Sequence, residues 1–405
     1  MRKKLLLAAL FLSLATGKWG AYLGISSLGL FLIDFIFFLA VLGSRSGKGI
    51  NLRRVVIILF LTLQIVIAQT NQYTYQTYLR DLIPFIYILF IPEIAVISKT
   101  IPKEEYLRVL RSAPIFNAFW STLSLLEIIP QINCSGFCGV PIFTLRADQS
   151  AIVCAIGILA WGFGKDVKLT GKMLAISSLL FAALLPPSRT ALLTASFAMV
   201  VVLYSNLSRR TRGIFLNTLK TTFVILLLGI LTIASTRVIN VSSSSMKSVT
   251  RLVTADYSGE VTGNSGGTVR ARIIAQRQLL NWSFSKYNPL IGAGAGTEMV
   301  ANSGSYRFLS SALDVRAPHS WWVNCLSRFG IIGLALWLWF ITPLFRKRSF
   351  VQNDLSKVLS FGCLSIILTA SFNVMIESPF GSLPLAILLG GLTSAFEKKP
   401  SSLRT

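Results

Sequence analysis

The sequence predicts an all-α integral membrane protein of about twelve transmembrane helices with one large extracytoplasmic loop. Three observations predict it. Of 405 residues, 53% are hydrophobic and only 13% charged, with a mean hydropathy of +0.66, whereas soluble domains carry about 25% charged residues. Apolar runs near the bilayer-spanning length of roughly 17 to 25 residues recur along the chain. The cations between those runs alternate in number from one connection to the next.

In order, the predicted spans are 4–20, 22–43, 54–70, 82–98, 113–130, 149–164, 172–187, 189–205, 215–235, 321–345, 358–376 and 380–396. Eleven or thirteen spans fit the same runs if boundaries move by a few residues. The first run, RKKLLLAALFLSLATG, also has the basic start and short apolar core of a signal peptide. Alternation continues unbroken through the second run, so an uncleaved first span is expected. The chain thus divides into an N-terminal bundle of about nine helices (1–235), an extracytoplasmic loop (236–320), and C-terminal helices with a short tail (321–405).

The net charge of +24 would suit a nucleic-acid binder, but its distribution excludes that class. With the N-terminus inside, seven stretches face the cytoplasm: the N-terminus, 44–54, 98–112, 164–172, 206–220, 345–357 and the C-terminus. They hold 25 of the 39 Lys and Arg residues. The short outer connections hold only Lys18, Arg80, Arg146 and Arg189. This is the positive-inside bias of an inner-membrane protein with both termini cytoplasmic.

One segment breaks the bias. The outer stretch 236–320 carries nine cations, Arg270, Arg272, Arg277 and Arg316 among them, against four carboxylates. It passes through the Gly/Ser/Thr-rich VTGNSGGTVR into RARIIAQRQLLNWSFSKY, which mixes arginines with Ile, Leu, Trp and Phe. That pattern predicts an amphipathic helix on the membrane surface, ended by Pro289 and the glycines of NPLIGAGAG. A solvated basic surface and an anion site with arginines for bidentate phosphate contacts account for this composition equally well. Gly292, Gly294 and Gly296 lie outside any strand–turn–helix unit, so they read as a turn allowing close backbone approach rather than a nucleotide loop.

The only histidine, His319, stands where this loop re-enters the membrane, in RAPHSWWVNCLSRFG. A lone histidine can be an interfacial residue without chemistry. Its place beside the arginine-rich loop, on the same side, favours a functional role. Arg189 is the sole cation of a tight outer hairpin, LLPPSRTALLTA. It can snorkel, yet ionisable residues at membrane depth are functional candidates by default. Glu377, in the last outer turn, reads as an ordinary loop acid or a partner of the site.

Acidic residues number 15, with no Asp-x-Asp pair and no carboxylate near Lys18 to Gly20. A divalent-metal site needs such carboxylates, and one histidine cannot build a histidine metal site, so no metal and no cofactor are expected. Cys134 and Cys138 lie in an outer loop where a disulfide can form. Cys154, Cys325 and Cys363 fall in or near spans as small apolar residues.

Four pieces, in order over roughly residues 180 to 396, resemble the bacterial O-antigen ligase and O-antigen polymerase superfamily. SRTALL (188–193) resembles its Ser-Arg helix start. Arg272 followed by NPLIGAGAG resembles its Arg…Pro-Leu-x-Gly-x-Gly segment. His319, with Gly330 and Gly333 beyond it, resembles its His-Asn…Gly-x-x-Gly segment. ESPFGSLPLAILLGGL resembles its final outer turn and last helix. Ser320 replaces the usual Asn, Arg328 stands where Glu is common, and the spacing from Arg272 to Pro289 is slightly long. Arg270 or Arg277 is therefore an alternative counterpart of Arg272.

The resemblance implies a GT-C-like membrane glycosyltransferase. It would move a glycan from an undecaprenyl-diphosphate carrier to an acceptor hydroxyl, on lipid A–core or a growing polysaccharide, at the periplasmic face and without metal. Arg189 and Arg272 would bind the donor diphosphate and His319 would be the general base. Arg270, Arg277, Arg316 and Glu377 are additional candidates. An unperturbed imidazole pKa of about 6.5 suits proton abstraction near neutrality. Expected partners are the lipid-linked donor, the acceptor, membrane lipid and other polysaccharide-assembly proteins. Ligase stands slightly ahead of polymerase. An anion transporter, of a bicarbonate type, is the reading from another class, and the missing internal repeat counts against it.

Overall fold

The computed structural model describes residues 1–25, 30–43, 52–134, 139–164, 167–186, 188–206, 269–309, 316–346, 350 and 353–396. The predicted span 215–235, the loop portion 236–268 and Cys138 lie outside them.

The described chain is mostly helical, with one two-stranded antiparallel pair. The helices are α1 (Arg2–Ala21), α2 (Leu32–Val41), α3 (Leu52–Thr70), α4 (Tyr75–Leu89), α5 (Ile91–Ser98), α6 (Lys103–Leu125), α7 (Ala147–Phe163), α8 (Leu169–Leu184) and α9 (Arg189–Asn206). After the undescribed segment come α10 (Val269–Lys286), α11 (Trp321–Ile341), α12 (Asp354–Ala370) and α13 (Pro379–Phe396). Among the described residues α1, α3 and α11 with its 3₁₀ extension are long and apolar enough to cross a membrane, and α4 with α5 passes the same test only as a bent pair, a broken span or a re-entrant loop. Others, such as α7 and α8, are apolar but shorter. Seventeen residues at 1.5 Å each reach about 25 Å, a little less than a hydrocarbon core of about 30 Å.

The predicted span 22–43 is corrected. Its first part is the strand pair β1 (Gly24–Ile25) with β2 (Leu30–Phe31), and only the ten residues of α2 are helical. The sequence GISSLG explains this: two glycines and two serines within six residues lower the helix propensity of the stretch before Leu30. The predicted span 82–98 bends by 43° between α4 and α5, where Pro92 starts a new helix at its first turn.

Two helices form the centre. α7 is buried on nearly every side from Gln149 to Phe163 and packs against α6, α8, α9 and α12. α13 is buried from Pro379 to Leu392 and packs on α1, α4, α5 and α12. Helices apolar all round belong in such positions. Small residues set the spacing: a Cβ on Gly157 of α7 would lie 2.6 Å from the Pro114 ring, and one on Gly390 of α13 2.4 Å from Ile94.

Charged contacts segregate to two ends of this bundle. At one end Lys3 lies 3.8 Å from Glu105, and Arg54 pairs with Glu93. Lys103, Arg108, Arg111 and Asp354 share a cavity there. At the other end lie Tyr22, Arg80, Arg146, Arg272, His319 and Glu377, coupled electrostatically. This division follows the alternation of connections read from the sequence.

Candidate functional site

Three hydrogen bonds tie the His319 loop, α10 and the turn 371–378 together. Pro318 offers its carbonyl to the Gln276 amide of α10 at 3.3 Å. Arg272, one turn earlier on α10, donates to the Phe372 carbonyl at 3.0 Å in the turn 371–378. Trp322, three residues after the histidine, donates from its indole to Ser371 at 2.7 Å. His319 therefore sits between α10 and the turn leading into α13. Its backbone φ is +55°, a left-handed conformation few non-glycine residues adopt.

The imidazole of His319 hydrogen-bonds the Asn373 side chain, while its Nδ1 is shielded from solvent with no partner among the described residues. Asn373 also donates to the Thr190 hydroxyl at 2.7 Å. Ser188 donates to Asp148 at 2.8 Å and accepts from the Ala191 backbone at 3.3 Å, capping α9. Ser188 and Thr190 flank Arg189, so the backbone of Arg189 is fixed beside Asn373. The side chains of Arg189 and Arg270 lie outside the described residues.

Burial pushes the His319 pKa down to about 4, reinforced by the charges of Arg272 and Arg146 and opposed by Asn373 and Asp148. An ordinary value near 6.5 is not kept, because shielding and cations both disfavour imidazolium. Glu377 moves the other way. Burial raises its carboxyl to about 7 despite its own and the Met375 backbone N–H groups, Arg146 and Arg328. The Met375 N–H donates to one carboxyl oxygen at 2.9 Å, and the other, Oε1, is shielded with no partner among the described residues. Arg316 is half-buried, with Nε and Nη2 likewise shielded and unpartnered among the described residues. Arg277 is exposed on another face of α10. The structure thus gathers Arg272, Arg316, His319 and Glu377 at one end and leaves Arg277 outside.

Arg80 and Arg146 were missed as site residues. In sequence they were only leftovers in short outer loops. Arg146 precedes α7, lies 5.2 Å over the Phe380 ring and acts electrostatically on His319, Glu377, Tyr22 and Lys18. The available signal was their violation of the positive-inside bias in otherwise cation-poor connections.

The α10 helix packs one face on protein. Its buried face is Ala271, Ala275, Leu279 and Ser283, three of the four small and all at a spacing of four, and Ser283 donates to the Ser327 carbonyl of α11 at 2.8 Å. Protein, not lipid, covers that face.

Beneath the site the glycine loop and α11 interlock. α11 breaks at Gly330, whose φ is +65° and ψ −167°. The break releases the carbonyls of Ser327 and Arg328, which accept from Ala293 at 3.0 Å and Gly294 at 2.8 Å. In return Ile331 and Ile332 donate to Pro289 at 3.0 Å and Leu290 at 3.1 Å. A Cβ on Gly292 would lie 2.5 Å from the Arg328 carbonyl oxygen, so glycine is required for this approach. Arg328 is buried and pairs with Asp81 of α4. It also donates to the Thr297 carbonyl at 2.9 Å, while Asp81 accepts from Gly296 at 2.8 Å. The arginine standing at a position where the resembled family commonly has glutamate is thus matched by an acid from another helix.

Cys134 is disulfide-bonded, and Cys154, Cys325 and Cys363 are free and buried. Among the described residues no group of three His, Cys, Asp or Glu side chains is placed to hold a metal ion.

No curated protein matches the chain significantly. The family model described as O-antigen ligase matches residues 173–338, a segment that includes α8, α9, α10, the glycine loop, His319 and most of α11. This match supports the resemblance to the O-antigen ligase and polymerase superfamily over the part of the chain that carries His319 and Arg272.

Proposed function

We propose that the chain is an inner-membrane glycosyltransferase that moves a glycan from undecaprenyl diphosphate to an acceptor hydroxyl at the periplasmic face, without metal. The observation that supports this reading is a set of shielded polar atoms that have no partner among the described residues: His319 Nδ1, Glu377 Oε1, and Arg316 Nε and Nη2. Buried polar groups are ordinarily satisfied, so an acceptor–donor set of this kind fits a polar, anionic ligand.

In this reading Arg189, Arg272 and Arg316 neutralise charge on the departing lipid diphosphate, a role that fixed guanidinium groups perform without a metal ion. His319 Nδ1 takes the proton from the acceptor hydroxyl as that oxygen attacks the anomeric carbon, and the bond to the diphosphate breaks with inversion. The imidazole is neutral at pH 7, so it is ready to accept a proton. Binding of the diphosphate beside Arg272 and Arg146 cancels the charges that depress its pKa and makes it a stronger base when substrate is present. Asn373 orients the ring.

Transfer to lipid A–core defines the ligase reading, and extension of a lipid-linked glycan defines a polymerase. The family match is compatible with both. The test uses purified protein in lipid with an undecaprenyl-diphosphate-linked glycan, candidate acceptors and EDTA, comparing wild type with His319→Ala. Release of lipid diphosphate that survives EDTA and is lost in the variant supports the mechanism, and the acceptor that grows separates ligase from polymerase. Equal turnover by the variant removes His319 from the chemistry.

A further inference from the structure

His319 is the single histidine of the chain, and what it can do depends on which ring nitrogen carries the proton. A neutral imidazole donates from one nitrogen and accepts at the other, and the hydrogen bond made by one nitrogen decides the state of the other. Nδ1 of His319 has no partner among the described residues, while the ring bonds the Asn373 side chain. That bond therefore falls to Nε2.

Asn373 is held in a way that decides which of its amide atoms meets the ring. It lies just beyond α12, in a turn tied at three successive residues. Trp322 donates to Ser371 at 2.7 Å, Arg272 donates to the Phe372 carbonyl at 3.0 Å, and the Asn373 amide nitrogen donates to the Thr190 hydroxyl at 2.7 Å. A second link joins Thr194 to Thr369 at 2.8 Å, one turn along α9 and one turn back along α12. Asn373 is 5% exposed and Thr190 7%, so these bonds form in a shielded place where each is costly to leave unmade. With its nitrogen turned to Thr190, Asn373 presents its oxygen to the imidazole. An amide oxygen accepts and does not donate, so it selects the proton on Nε2 and leaves the Nδ1 lone pair bare. The effect of Asn373 on the ring agrees, because it favours the protonated form, as an acceptor does.

We propose that Thr190 is a positioning residue that fixes the tautomer of His319 through Asn373. The inference rests on the reading of His319 as the base and adds the residue that keeps its basic nitrogen, Nδ1, free of a proton. Thr190 follows Arg189 directly in sequence, so in that reading one helix start serves both the base and the departing diphosphate.

The single histidine makes the test direct. Full-length protein labelled with nitrogen-15 at either Nδ1 or Nε2 of histidine is reconstituted in lipid, and solid-state NMR at pH 8 reads whether the labelled atom bears a proton. The expected result in wild type is a bare Nδ1 and a protonated Nε2. Thr190→Val keeps the shape of the side chain and removes its hydroxyl, which frees the amide to turn. The ratio of the two tautomers should then fall about fivefold, the worth of one hydrogen bond. Thr190→Ser should keep the wild-type ratio. Thr194→Val removes the neighbouring link between α9 and α12 without touching Asn373, and should also leave the ratio unchanged, which separates positioning from packing. Adding Asn373→Asp to Thr190→Val should return the proton to Nε2, because either carboxylate oxygen accepts. A protonated Nδ1 in wild type overturns the proposal, as does a ratio in Thr190→Val equal to that of wild type or matched by Thr194→Val. Should Thr190→Val fail to fold, Thr190→Ala, which only removes atoms, decides by the same ratio. Full transfer by His319→Ala would remove the base reading and leave the tautomer result standing. Transfer lost in His319→Ala, with Nδ1 protonated in wild type, would do the reverse.

Discussion

The depressed pKa of His319 makes a prediction about acid sensitivity. With a pKa of about 4, about 97% of the imidazole is neutral at pH 5.5, against about 9% at the ordinary value near 6.5. Wild-type kcat/KM should therefore hold its plateau down to about pH 5, because that parameter reports the free enzyme. The acid limb of kcat should lie at higher pH, since a bound diphosphate offsets the charges of Arg272 and Arg146. The sign is fixed by the chemistry: cations disfavour imidazolium, so removing one raises the pKa. In Arg272→Met the kcat/KM limb should move up by about one unit, whatever happens to the plateau, and burial should keep it below 6.5. The assay is initial-rate transfer across pH 4 to 8 with a fluorescent acceptor. A wild-type kcat/KM limb at 6.5, or an acid limb that persists unchanged in residual His319→Gln activity, would refute the reasoning.

Three further outcomes follow from the same geometry. Asp81→Ala should cost about 3–5 kcal/mol by leaving the buried Arg328 charge unpaired, and adding Arg328→Met should restore much of the loss, as read from melting in detergent; additive losses would deny the pair its role. Gly330→Ala should lower melting and transfer together, because its Cβ would lie 2.4 Å from the Leu290 carbonyl in a backbone with φ +65°; a variant as stable as wild type would contradict the interlock. Glu377 has a carboxyl pKa of about 7, protonated below that pH and ionised above it, so Glu377→Gln should erase any inflection near pH 7 in the transfer profile. An inflection that survives the substitution belongs to another group.

Much of the bundle was legible because apolar runs announce helices without reference to the rest of the chain. The bounds of α3, α7 and α9 fall within two residues of the predicted spans. The span beginning at 22 failed because hydropathy alone does not register the low helix propensity of the glycines and serines between Gly24 and Gly29. His319 and Arg272 were legible through a rare residue type and through ordered motifs. Arg146 and Asn373 were not, since each earns its place by what distant segments bring to it: Asn373 meets Thr190 across 183 positions of sequence. The pairing of Arg328 with Asp81, 247 positions apart, was invisible for the same reason.

The interlock of the glycine loop with α11 carries a consequence for biogenesis. Residues 289–296 are made before Gly330, so the amides of Ala293 and Gly294 and the carbonyls of Pro289 and Leu290 lack their partners until α11 arrives. Neither piece is complete alone: α11 at its break has bare carbonyls that lipid cannot satisfy, and the loop has the amides that fit them. The end of the bundle that holds His319 is therefore assembled late, after the N-terminal helices are in place, and a chain cut off before residue 330 would expose an unfinished binding surface instead of a smaller enzyme.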